Sequence, residues 1–356
     1  MNKPKALKKG DRIAVVSLSS GILGEPFIEH EVTLATKRLE EYGLEVVYMP
    51  HSLMGIDYIA NHPEDRAKDL KQAIQDPSIQ GIICALGGDD TYRTIPFLIE
   101  DPEFRQTVQD NPKIFIGFSD TTVNHLMFYQ LGLVTYYGPC LAADIAELSN
   151  EMLPFTRLWF EQLFHPTLKQ IESSPVWYME RPNYSTEQLG IPRTEIKENR
   201  GYETLRGTGI VTGKLLGGCI DSLGCLLHDE KHPNQPIIAQ KYNLFPNLET
   251  WKDTLFFFET SEEKMNPEQF KDILIRIKNQ GVFEQIKGIL VGKPVDEIYY
   301  DEYKQVLCEV LKSTDIPILY NVNFGHATPR CILPYGLMAE VDYDRKTITL
   351  QESLVD

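Results

Sequence analysis

The chain of 356 residues contains no apolar run approaching the ~20 residues of a membrane-spanning helix, so it is not expected to cross a bilayer. No run of lysine and arginine offsets a formal net charge of −16, from 51 acidic and 35 basic side chains. Such a surface repels nucleic acid and anionic lipid alike. The six cysteines, at 84, 140, 219, 225, 308 and 331, include no C-x-x-C pair. Most stand in apolar contexts, which fits buried reduced thiols better than disulfides or a zinc site. The basic start MNKPKALKKGDR runs into only the short stretch IAVVSLSSG, without the longer apolar core and cleavage site of a signal peptide. These absences predict a cytoplasmic protein with neither nucleic-acid nor membrane partners.

Cofactor signatures are missing too. No G-x-G-x-x-G follows the first strand, which argues against a dinucleotide fold. GTGIVTGKLL is only superficially a P-loop: its first glycine is one residue too far from Gly213-Lys214, and Leu215 stands where Ser or Thr must hold magnesium. His228 and His232 are four residues apart, but Pro233 follows and the H-E-x-x-H order is absent. A helix end running into a polar loop explains them better than a metal site.

What is present is an ordinary globular composition, 42% hydrophobic and 24% charged. The length favours two domains. Over the first 140 or so residues, strand and helix patterns alternate. RIAVVSL is a short β-branched run. Ile28, Val32, Ala35, Leu39 and Tyr42 then recur along one helical face, which Gly43 is placed to end. LEVVYMP reads as strand, EDRAKDLKQAIQ as helix, and IQGIICAL and KIFIGF as buried strands. This alternation implies a parallel sheet covered on both faces, with ligands at the loops leaving the carboxyl ends of its strands. The division expected is an N-terminal α/β domain over 1–165, a polar connector over 166–206 rich in Pro, Glu, Asn, Tyr and Ser, and a smaller C-terminal α/β domain over 207–356.

Four segments could carry chemistry. In IFIGFSDTTVNHLMF a buried strand delivers Ser119 to a sharp turn before a helix, whose N-terminus favours developing negative charge. The pattern Gly117-x-Ser119-x-Thr121 lacks the last glycine of the α/β-hydrolase elbow, and Ser119 also reads as a helix N-cap. The glycines of ALGGDDTYR let backbone N–H groups approach a ligand, or simply make a turn. His326, after Gly325 in a Pro-containing loop, suits catalysis or a structural hydrogen bond equally. Glu259 closes the apolar run LFFFE, which suits a carboxylate orienting a histidine; Glu262 and Glu263 beyond it read as solvated acids.

Taken together, LGGDD (86–90), IGFSDTT (116–122), GLVTYYGP (132–139), LLGGCIDSL (215–223), LFFFETSEE (255–263) and NFGHATPRCILPYG (323–336) resemble the LD-carboxypeptidase family of serine peptidases, which includes the microcin C immunity proteins. The resemblance spans most of the chain. It implies Ser119 as nucleophile, His326 as general base and acid, and Glu259 as its orienting carboxylate. It also implies an oxyanion hole from the backbone N–H groups of Gly88 and Asp120, no cofactor or metal, and a homodimer. The substrate would be a murein tetrapeptide or a peptidyl or aminoacyl nucleotide. Cys219 and Asp89-Asp90 depart from the family's usual residues near the substrate, which makes Asp89 a candidate contact. The length resembles the microcin-immunity branch, and Trp177 is its candidate for stacking on a nucleobase, or a packing residue. The alternative is a non-catalytic peptide- or nucleotide-binding protein on the same frame.

Overall fold

The computed structural model describes residues 1–356 and is a two-domain α/β protein. The expected N-terminal strands form β1 (Arg12–Val16), β2 (Glu45–Tyr48), β3 (Ile79–Cys84), β4 (Ile114–Gly117) and β5 (Tyr136–Tyr137). They pair in parallel, in the order β5-β4-β3-β1-β2. Helices α1 (Glu29–Glu41), α2 (Pro63–Gln75) and α3 (Thr122–Gln130) lie along this sheet. In α2 the buried residues Ala67, Leu70, Ala73 and Ile74 recur at helical spacing, which is what sets its inward face. Just beyond α1, Gly43 takes φ +82, a left-handed turn that costs glycine no side-chain clash.

The stretch 166–206 is more than a tether. It holds β6 (Gln170–Ile171), β7 (Val176–Tyr178), β8 (Glu195–Lys197) and β9 (Glu203–Arg206). Beyond it run β10 (Ile210–Cys219), β11 (Thr254–Glu259), β12 (Gly288–Gly292), β13 (Ile318–Val322), β14 (Leu333–Pro334), β15 (Met338–Asp342) and β16 (Thr347–Leu350). An eight-stranded sheet takes the order β6-β16-β15-β10-β11-β12-β13-β9, parallel through β10–β13 and antiparallel outside them. The P-loop look-alike GTGIVTGK runs into β10, so its lysine sits in a sheet, not at a phosphate-binding turn. Strand β14 crosses over and pairs with β5, adding a sixth strand to the N-terminal sheet.

Composition misled about 166–206 because its polar side chains are buried as pairs. Arg181 and Arg193 both bond the carboxylate of Glu147, Arg193 Nε at 2.6 Å, and all three side chains are nearly inaccessible. Burial alone would raise the Glu147 carboxyl. The Arg193 charge and hydrogen bonds from Arg181, Ser149 and Arg193 outweigh it and hold the group at about 2. A depressed carboxyl stabilises the fold fully above its unfolded value, here 4.5, and loses that contribution as pH falls toward about 2. Glu147→Gln is therefore expected to cost roughly 3 kcal/mol at neutral pH. Urea unfolding across pH should also show a shallower acid loss of stability in the variant between those two values.

Candidate active site

The loops leaving the carboxyl ends of β1, β3 and β4 are tied together by one carboxylate. Asp120 accepts from the Ser19 hydroxyl at 2.7 Å and the Thr91 N–H at 2.8 Å. Burial pushes this carboxyl up to about 6, against the pull of those two bonds. Ser119, one residue earlier, stands one residue beyond β4, after Phe118, at φ +65. That left-handed conformation costs a residue with a Cβ about 1–2 kcal/mol. Here it turns Ser119 away from the strand and into a cleft. The Ser119 N–H donates to the Tyr137 hydroxyl at 3.2 Å, so β5 braces the turn. Gly87 faces the same serine: a Cβ there would lie 2.5 Å from Ser119 Cβ and 2.7 Å from its Oγ.

The C-terminal sheet brings the other two residues. Glu259, last in β11 and inaccessible to solvent, accepts from the His326 Nδ1–H at 2.8 Å and the His326 backbone N–H at 2.9 Å. Its other oxygen accepts from the Tyr137 hydroxyl at 2.5 Å. Tyr137 thus bonds both the backbone of Ser119 and the carboxylate of Glu259. Phe118 packs edge-on against the His326 ring at 4.9 Å, and the Arg330 guanidinium lies 4.2 Å over Phe118. Arg330 also donates to Asp144 at 3.0 Å and to the His326 carbonyl at 3.1 Å, which holds the histidine loop.

Ser119 and His326 line one cleft of about 1300 Å³ together with Gly87, Gly88, Phe118, Glu262 and Arg330. Trp177, Tyr178, Tyr184 and Arg193 extend its wall. Trp177 is buried, with the Lys293 ammonium 4.7 Å over its ring. Asp89 does not line the cleft: its carboxylate is taken by Lys231, with His232 Nε2 at 3.5 Å. His228 lies just past a helix ending at Leu227, where the sequence suggested a helix end.

Sequence reasoning missed Tyr137, Arg330 and Glu262. Glu262 is not simply a solvated acid: its carboxylate reaches His326 Nε2 at 3.0 Å. Each of these contacts joins residues far apart in the chain or across a loop, where no local pattern marks them.

One set of side chains has metal-ligand types. The ligand atoms of Cys219, Glu259 and His326 lie within 4.8 Å of one another. Both oxygens of Glu259 already accept hydrogen bonds, and burial drives the Cys219 thiol well above its ordinary range, against the thiolate a metal would need. The donor set fits a hydrogen-bonded cluster.

Residues 13–138 match the N-terminal domain of the LD-carboxypeptidases, and residues 212–341 match their C-terminal domain. The chain superimposes on an MccF-like protein from Streptococcus pneumoniae in complex with AMP, with a TM-score of 0.91 and 46% identity over 96% of this chain and 98% of that one. It is 28% identical to a probable murein peptide carboxypeptidase of Bacillus subtilis over 98% of this chain and 94% of that protein. It is 26% identical to the microcin C7 self-immunity protein MccF of Escherichia coli, over 81% of this chain and 78% of that protein.

Because the added methyl of Gly87→Ala must displace Ser119, this substitution is expected to lower turnover by about 100-fold, as ångström-scale misplacements in active sites do. Circular dichroism checks that the fold persists while hydrolysis is measured.

Proposed function

The chain belongs to the LD-carboxypeptidase family, and on that premise we propose that it is a serine carboxypeptidase working through Ser119, His326 and Glu259. The observation that carries the reading is the 2.8 Å bond from His326 Nδ1 to the buried Glu259, with His326 and Ser119 on the wall of the same cleft. That bond fixes the tautomer and leaves Nε2 as the catalytic nitrogen. Ser119 Oγ attacks the amide carbonyl as Nε2 takes its proton. The tetrahedral oxyanion sits among the backbone N–H groups of Gly88 and Asp120. Gly88, at φ +154, has backbone that a Cβ could not share with Ser19, whose Oγ would be 2.3 Å away. Collapse expels the amine, which leaves with the proton from Nε2. Water then attacks the acyl-enzyme with His326 again as base.

The substrate proposed is an amide-linked aminoacyl or peptidyl nucleotide, its base lying against the aromatic wall of Trp177, Tyr178 and Tyr184. The AMP complex of the pneumococcal relative, at 46% identity, and the aromatic wall of the cleft support this choice. A second reading, the terminal D-residue of a murein tetrapeptide, is favoured by the Bacillus relative that aligns along 98% of this chain. No helix is long and apolar enough to cross a membrane. All six cysteines are free thiols, which supports a cytoplasmic setting. The homodimer stays part of the proposal on family resemblance.

Mass spectrometry of wild type and Ser119→Ala, each offered a murein tetrapeptide and an aminoacyl sulfamoyl adenosine, tests the reading. Wild type should cut the nucleotide compound and the variant should lose at least ~10³-fold in kcat. Release of D-Ala alone would move the protein to the murein reading. Equal cleavage by both proteins would sink the role of Ser119. A wild type that binds the compounds but cuts neither, with no labelling by a serine-directed phosphonate, would indicate the binding-protein alternative.

A further inference from the structure

The triad gives no part to Glu262, yet its carboxylate stands where the reaction needs access. A histidine that receives a serine's proton must present a bare Nε2. Here Nδ1 is hydrogen-bonded to Glu259 at 2.8 Å, and a Glu262 carboxylate oxygen stands 3.0 Å from Nε2 as its charge partner. A carboxylate only accepts, so one placed at each ring nitrogen favours the imidazole with a proton on both. Such a ring has no lone pair to offer Ser119.

The groups around the ring support this state. Glu259 faces it from β11 and Glu262 from the loop that follows. Arg330 bonds its carbonyl, Phe118 packs on its edge, and Cys219 and Asp221 lie on the β10 side. Burial alone would lower the imidazole, but the Glu259 charge and the hydrogen bonds of both glutamates raise it to about 10. Reciprocally, the hydrogen bond to His326 outweighs burial and holds Glu262 at about 2.

The loop carrying Glu262 is pinned one residue earlier. Ser261 donates to Asp221 through its N–H at 3.0 Å and its hydroxyl at 2.8 Å. The Glu262 side chain itself is 54% exposed. It has no lysine or arginine partner: Lys264, two residues on, is taken by Glu180 and Asp296, and Arg330 by Asp144. A carboxylate that is exposed to the cleft and paired only with a histidine is a ready acceptor for an incoming cation.

We propose that Glu262 is a specificity-determining latch on His326: it holds Nε2 until a cationic group of the substrate, an ammonium or guanidinium, draws it away. The inference rests on the triad reading above and deepens it by naming a substrate class. The charges balance simply. The substrate's cation replaces the imidazolium as partner of the Glu262 carboxylate, the imidazolium releases its Nε2 proton to water, and the neutral ring then accepts the Ser119 proton. Substrates whose acyl part bears a positive charge should therefore be preferred over those bearing a negative one.

Nitrogen-15 NMR of the histidine rings, recorded across pH on the full chain, compares wild type with Glu262→Gln. The His326 Nε2–H is expected to titrate at least about one pH unit lower in the variant, and the acid limb of kcat/KM should move with it. The preference for lysyl over glutamyl sulfamoyl adenosine should fall about tenfold in the variant. Superimposable ring titrations in the two proteins would overturn the latch, and an unchanged preference would overturn the cation's part in it. Glu262→Ala, with unfolding midpoints for both variants, guards against a misfolded comparison. The NMR comparison needs no turnover, whereas phosphonate labelling of Ser119 in Glu262→Ala, which has no latch, reports on the triad alone, so the two readings fail separately.

Discussion

The buried carboxylate of Glu259 is the constraint around which the cleft is organised. A charge with no solvent contact must be met by donors from the protein. It has three: the His326 backbone N–H, the His326 ring and the Tyr137 hydroxyl. The chain around it is shaped to leave room. A Cβ on Gly325 would lie 2.0 Å from Glu259 Cγ, and one on Gly292 would lie 2.4 Å from its Cβ. Gly325 is also at φ +83, so the glycine before His326 answers to both a turn and a close approach. The motif N-F-G-H is thus as much about housing a carboxylate as about presenting an imidazole.

That carboxylate also makes the two sheets one device. Tyr137 belongs to the N-terminal sheet and Glu259 to the C-terminal one, so their 2.5 Å bond crosses the domain junction beneath the cleft. It does not act alone. The Cys219 N–H donates to the Thr122 hydroxyl at 2.9 Å, the Tyr335 hydroxyl to the Gly217 carbonyl at 2.7 Å, and β14 pairs with β5. A single apolar core continues through both sheets. A loosely hinged pair of domains could not hold Ser119 on one and His326 on the other in the fixed relation that the proposed triad requires, because catalytic geometry tolerates only sub-ångström errors. Here the junction is closed by the same packing that closes each domain.

Much of this was legible in the sequence. The strands over 12–16, 79–84 and 114–117, and the helices between them, follow from local apolar periodicity, which needs no knowledge of distant residues. Ser119 after a buried strand and Glu259 at the end of another were visible for the same reason. The pairing of Glu259 with His326 was not visible, since the two are 67 positions apart and only motif resemblance joined them. Buried ion pairs were the most hidden. The stretch 166–206 has the composition of a solvated connector, yet Arg181 and Arg193 are buried because Glu147, more than thirty residues earlier, receives them. Composition reports hydrophobicity, and a paired charge in an interior looks the same in it as a free charge on a surface.

The distribution of charge within the cleft follows from that pairing. The arginines on its wall are not free attractants: Arg330 is committed to Asp144, and Arg193 to Glu147. Each is fixed by a buried carboxylate and so acts on geometry, steadying the histidine loop in one case and the stretch bearing Trp177 in the other. A committed pair contributes little long-range field, because the two charges cancel beyond their own separation. On a protein of net charge −16, the anionic nucleotide proposed as substrate would gain little from steering and would depend on contacts within the cleft. At the catalytic end the charge left to meet a ligand is negative, on Glu262. The two ends of the cleft thus differ in character, aromatic side chains at Trp177, Tyr178 and Tyr184 and an acidic acceptor beside His326, and the substrate proposed above would meet both.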